Sequence, residues 1–118
     1  MLDAWLVYPP PIAPPELVQG VEEYAKKNEY KAFEIKEWFA EKELNGAKRI
    51  YAKMLKETEK AVLLKIIMTY AVFDANDKRM NEIDFAKLYE RKDGKIVGVI
   101  LKEKWIPKSV ILQDKSLR

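Results

Sequence analysis

The chain has 118 residues, 48% of them hydrophobic and 35% charged, and a net charge of +3. That profile fits one globular domain with one core and is too apolar for a disordered chain. It holds no cysteine and no histidine, which excludes disulfides, thiolate or imidazole metal sites, and cysteine- or histidine-based catalysis.

Lysine (18) and glutamate (13) dominate the charge, a balance expected of a thermophilic source. The opening Met1-Leu2-Asp3 carries no basic stretch of the kind that starts a signal peptide. The longest apolar run, Ala61 to Phe73, is interrupted by Lys65 and is too short to span a bilayer. The expectation is a cytoplasmic protein with no membrane contact.

Asp3 to Tyr8 reads as a short strand or extended arm. Pro9-Pro10-Pro11 and Pro14-Pro15 follow. Proline fixes φ and removes the backbone donor, so residues 1–14 read as a stiff, extended lead-in. Pro15 and Glu16 suit the first turn of a helix. Leu17, Val18, Val21, Tyr24 and Ala25 then make one apolar stripe over 15–27, with Asn28 as its stop.

A second helix is predicted over 33–43, with Ile35, Trp38 and Phe39 inside. Asn45-Gly46 breaks it, since both residues tolerate left-handed backbone. A third helix is predicted over 47–59, with Ala47, Ile50, Tyr51, Met54 and Leu55 buried. From 63 to 73 the β-branched and aromatic content predicts a strand, with a continued helix as the competitor.

Asp74 to Asn81 is a polar loop. Its acids do not make a calcium loop, because the sixth position lacks Gly and Phe85 stands where the bidentate Glu belongs. Residues 83–91 and 95–103 read as two strands of a hairpin turning at Asp93-Gly94, with a type I′ turn expected. Val110 to Leu112 suits a short edge strand, and Asp114 to Arg118 a fraying tail. The aromatics, Trp38 and Trp105 among them, are assigned to the core by default. Tyr89, near Arg91, is the one best placed for base stacking.

The charge is unevenly distributed. Residues 1–43 carry −4, residues 44–65 carry +4, residues 66–85 carry −2 and residues 86–108 carry +4. Two separate basic segments in a nearly neutral chain suggest a footprint for a polyanion. The bland alternative is a solvated lysine surface.

The order of predicted elements is helix, helix, tight turn, helix, strand and basic hairpin. Over roughly residues 15–103, and most clearly from Phe33 through the Asn45-Gly46 turn to Glu57, it resembles a winged helix-turn-helix DNA-binding domain. That resemblance implies an α+β fold, with three N-terminal helices followed by a small antiparallel sheet with a β-hairpin, in a single domain over 1–118. It makes 47–59 the recognition helix, with Lys48, Arg49, Ala52, Lys53 and Lys56 toward the major groove. Arg91, Lys92 and Lys95 become the tip of the wing. The function implied is non-enzymatic binding of double-stranded DNA by a small regulator, as a homodimer and without a cofactor. No Ser, Thr, Asn or Gln is among the groove-facing residues named above, which points to contacts through phosphates and shape.

Two other readings compete. A protein–protein interaction module or accessory subunit would dock through the proline arm or an open hairpin edge, and would carry an apolar surface patch near Trp5 or Trp105. An enzyme would have only carboxylates to work with, such as Asp74, Asp77, Glu82 and Asp84, and no spacing signature supports a metal or acid–base site there.

Overall fold

The computed structural model describes residues 15–117. The expected arm over 1–14, with its strand at Asp3–Tyr8, lies outside the described residues.

Helix α1, Pro15–Lys27, forms where the apolar stripe places it. Leu17, Val21 and Ala25 are buried on one face, which for Leu17 and Val21 is worth about 2 kcal/mol each. The Asn28 side-chain amide donates to the Tyr24 carbonyl (2.9 Å), and Glu29 takes a left-handed φ of 63°, so the helix stops there.

The next two expected helices are corrected. Residues 33–43 divide into strand β1, Lys31–Ile35, and a single helical stretch α2, Glu37–Glu43. Residues 47–59 contain strand β2, Arg49–Glu57, and no helix. β3 follows at Ala61–Phe73, β4 at Phe85–Glu90, β5 at Ile96–Pro107 and β6 at Ile111–Ser116. Among the described residues the fold is therefore two α-helices on a six-stranded antiparallel sheet of order β4-β5-β3-β2-β1-β6. It is not three helices followed by a small sheet.

The reason lies in burial. Ile50, Tyr51 and Ala52 are all buried, with Ile50 and Ala52 pointing to one face of the sheet and Tyr51 to the other. Because both faces are covered, the period of two disappears, and a run of apolar residues imitates a helix stripe. Helix-favouring Lys and Glu surround it, but tertiary pairing outweighs propensity.

α2 packs on one face with Phe33, Ile35, Ile50, Leu64, Ile66 and Ile106. α1 packs on the opposite face with Tyr30, Tyr51, Ile67, Val97, Val99 and Leu101. The Asn45-Gly46 turn is present as expected: both residues have positive φ (52° and 88°), and the Gly46 amide donates back to the Ala40 carbonyl (2.7 Å), closing α2. The edge strand β6 runs through Ser116, so the expected fraying tail is mostly ordered against β1.

The hairpin is also present, with a different turn. Arg91 and Lys95 close a three-residue loop, and the Gly94 amide donates to the Arg91 carbonyl (2.9 Å). Among the loop residues Gly94 alone has positive φ (84°). This is a turn ending in one left-handed glycine, not the two-residue I′ turn.

The sheet curls around α2. The Lys108 amide donates to the Lys60 carbonyl and the Val110 carbonyl accepts from the Lys36 amide, both at 2.8 Å. Two residues of chain reach about 7 Å. In a flat sheet Lys60 and Lys36 would lie apart by nearly the length of β2, roughly 30 Å. Bulges at Met54–Lys56 and Ile67–Thr69 supply the bend. Val110 is buried on the α2 side, so that side is the inside of the curl.

Candidate nucleic-acid interface

α1 spans 13 residues, about 20 Å of helix. β3 also spans 13 residues, but as a strand it is about 43 Å long. The core under α1 ends at Ile67 on β3 and Leu101 on β5. The outer face beyond them, toward the β2–β3 turn, contributes nothing to that core.

Strand pairing fixes what stands there. Lys56 pairs with Leu63, which pairs with Trp105, making one row across β2, β3 and β5. Lys53, Lys65 and Glu103 make the next row. Both rows share the face of Leu101, two and four residues before Glu103 and Trp105 on β5. Lys53 and Lys56 are three residues apart and would face opposite ways in a regular strand. The bulge between Met54 and Lys56 inserts one residue and brings both lysines to the outer face.

Trp105 is 48% exposed, which corrects its assignment to the core. Met54 (51%) and Leu55 (39%), expected to be buried on a helix, are exposed at the same end of the sheet. Trp38, expected inside α2, is 58% exposed and packs edge-on against Phe39.

Electrostatically, Lys65 is held by Asp84 (3.4 Å), and Glu103 is the one acid in the two rows. Lys53 and Lys56 have no ion-pair partner among the described residues. The open face thus offers two ammonium groups on β2, both on the same side of a half-exposed indole, with Leu63 of β3 between Lys56 and the ring.

The residues expected to contact DNA do not form one surface. Lys48 lies just before β2 and pairs with Glu37 at the start of α2 (3.8 Å). Arg49 stands opposite Glu34 on β1. Ala52 is buried against α2. Arg91 pairs with Asp93 (2.9 Å) and Lys95 with Asp74 (2.6 Å), whose carboxylate raises the Lys95 pKa by hydrogen bond and charge. Lys92 has no ion-pair partner among the described residues. The hairpin tip lies beyond Ile96, and Trp105 lies nine residues further along β5, about 30 Å of strand. The hairpin tip therefore sits at the opposite end of the sheet from Lys53 and Lys56, whereas Lys104 and Lys108 of the second basic segment lie beside Leu64 and Lys60, at the end of the β2–β3 turn.

No family model, curated protein or solved structure matches the chain. Its own geometry therefore has to carry the functional reading.

The acidic loop gives little to chemistry. Asp77 accepts from the Arg79 amide (2.9 Å) and holds its guanidinium (2.7 Å). These hydrogen bonds lower the Asp77 pKa. Asp74 and Asp84 are engaged by Lys95 and Lys65. Among the described residues there is no group of three or more metal-ligating side chains, and no helix long and apolar enough to cross a membrane.

Proposed function

We propose that this protein binds single-stranded nucleic acid, without catalysis, on the outer face of the sheet near the β2–β3 turn. The observation that carries the reading is the row Lys56–Leu63–Trp105, with Lys53 in the row above and neither lysine in an ion pair among the described residues. An exposed indole is a stacking platform for any base, and unpaired lysines beside it neutralise phosphates. Sequence-tolerant binding follows from stacking, since every base has a π-face and the lysines meet phosphates.

Double-stranded DNA was the partner expected from the winged-helix resemblance. That reading needed a helix over 47–59 to enter the major groove, and this segment contains strand β2. A second reading, docking of a protein partner, draws on Leu55, exposed at the β2 bulge toward the same end of the sheet as Trp105; the exposed Met54 pairs with Leu64 on the α2 face.

The deciding experiment is a fluorescence titration of the full chain with oligo(dT) and oligo(U) at low salt. A Trp5→Phe/Trp38→Phe background leaves Trp105 as the reporter. Saturable quenching that weakens linearly in log[salt] supports the reading. No retention of either oligonucleotide at low salt ends it, and tighter retention of a duplex of equal length restores the double-strand alternative.

A further inference from the structure

β4 is the last strand on its side of the sheet. It pairs with β5, and among the described residues no strand pairs with its other edge. An open edge offers a row of unpaired backbone N–H and C=O groups to a further strand.

The pairing with β5 decides which residues offer them. The Leu101 amide donates to the Asp84 carbonyl, and the Arg91 amide donates to the Lys95 carbonyl. Asp84 and Arg91 therefore turn their backbone groups toward β5. Alternation from Asp84 sends Phe85 and Lys87 outward, and alternation from Arg91 sends Glu90 outward. The two alternations meet at the bulge between Lys87 and Tyr89.

The bulge also sets the side chains. Lys87 pairs with Gly98 and Glu90 with Ile96, two residues apart on β5. Both side chains therefore stand on one face, although residues three apart point opposite ways in a regular strand. They approach to 3.8 Å, and each side chain is 56% exposed. Leu88 and Tyr89, within the bulge, pack against the α1 core and hold it in place. The open edge thus carries a lysine and a glutamate on the same face, one on each side of the bulge.

A second copy of this strand is complementary to it. A two-fold axis through the bulge, perpendicular to the sheet, lays two β4 strands side by side and antiparallel. Lys87 of each copy then stands opposite Glu90 of the other, twice over by symmetry. The faces match, and the outward backbone groups of the two residues meet and can exchange hydrogen bonds. Registers centred on Lys87 or on Glu90 set like charges opposite one another and are disfavoured. Charges and bulges on an edge usually keep strands apart. Here they select one partner in one register. We propose that the outer edge of β4 is a homodimer interface, in which two β4 strands pair antiparallel about the bulge with Lys87 opposite Glu90. The interface is independent of the nucleic-acid reading, because β4 pairs with β5 no further than Ile100, short of Trp105.

The test is sedimentation velocity on the full chain over a concentration series at low salt. A reversible monomer–dimer equilibrium is expected, since two short strands make a small interface. Lys87→Glu and Glu90→Lys each set like charges opposite at both ends of the interface. Each is expected to weaken association about tenfold, with the fold kept, because both side chains are exposed. An equimolar mixture of the two variants is expected to associate again, since one then brings two acids and the other two bases to the facing edges. A chain that stays monomeric throughout the series overturns the proposal. So does self-association that Lys87→Glu leaves unchanged, which places the interface elsewhere, and so does a mixture no tighter than its separate components.

Discussion

The ring of Phe85 on β4 lies over Gly98 on β5, in the space where any other residue would carry its Cβ. A Cβ built on Gly98 would overlap the Ala86 carbonyl oxygen and the Phe85 ring, whose Cε1 would be 2.8 Å away. Phe85 in turn meets Phe73 edge-on at 5.2 Å, and the Arg79 guanidinium stands 5.6 Å over Phe73. The glycine is what lets this aromatic stack close the end of the sheet. Gly98→Ala is expected to destabilise the fold by about 3 kcal/mol, at the upper end of overpacking effects. Trimming the ring in Gly98→Ala/Phe85→Ala is expected not to restore stability, because the clash with the Ala86 backbone persists. Urea denaturation of the two variants checks both statements.

Thr69 presents the opposite situation. It follows the bulge in β3, and its buried hydroxyl finds no hydrogen-bond partner among the described residues. A buried hydroxyl without a partner keeps its desolvation cost and gains nothing in return. Thr69→Val exchanges it for a methyl of similar size. The expected outcome is a gain of about 1 kcal/mol, read as a rise in Tm of about 4 °C for a domain of this length. An unchanged or lower Tm would mean the hydroxyl is satisfied.

Tyr30 sets an alkaline limit. Burial raises its pKa far above the ordinary value near 10, and its hydrogen bond with Tyr24 and the charges of Tyr24 and Asp84 add to the shift. The raised group keeps its proton in the fold, while in the unfolded chain it ionises near pH 10. Its contribution is therefore complete below pH 10 and is lost as pH rises above it. Stability is expected to fall steadily above pH 10, and ultraviolet titration is expected to show at least one of the six tyrosines ionising only as the protein unfolds. In Tyr30→Phe the fall above pH 10 becomes shallower. A titration in which every tyrosine ionises reversibly near pH 10 would contradict this.

What the sequence disclosed depended on how many faces of each element are covered. α1 packs on one side alone, so its stripe of Leu17, Val21 and Ala25 is unambiguous. The hairpin at Asp93-Gly94 was legible from turn chemistry, although Gly94 alone carries the positive φ. β1 and β2 lie between two helices, and their runs Ala32-Phe33 and Ile50-Tyr51-Ala52 point both ways into cores. No periodicity survives that arrangement, and the resemblance to a helix-turn-helix arose from it. The candidate site was half legible. Lys53 and Lys56 were singled out as basic, but their shared face comes from a bulge that leaves no mark in composition. Trp105 is core by the default for aromatics, but its neighbour Ile106 takes that place, and alternation on a strand puts the two on opposite faces.

The open face makes a quantitative prediction that separates it from the hairpin tip. Each lysine that neutralises a phosphate of a single strand contributes about 0.7 to the slope of log K against log[salt]. Lys53→Ala/Lys56→Ala is therefore expected to reduce that slope by roughly 1.4, with the fold intact, since neither residue forms an ion pair among the described residues. Trp105→Ala removes a stacked base and is expected to cost about 1–3 kcal/mol of affinity while leaving the slope nearly unchanged. Lys92→Ala, about 30 Å of strand away and equally free of ion pairs, serves as the control and is expected to change neither quantity. Oligonucleotide titrations across a salt series read all three variants. Equal losses from Lys92→Ala and from Lys53→Ala/Lys56→Ala would place the hairpin tip in the footprint. They would also show the affinity to be a property of overall charge and not of the row Lys56–Leu63–Trp105.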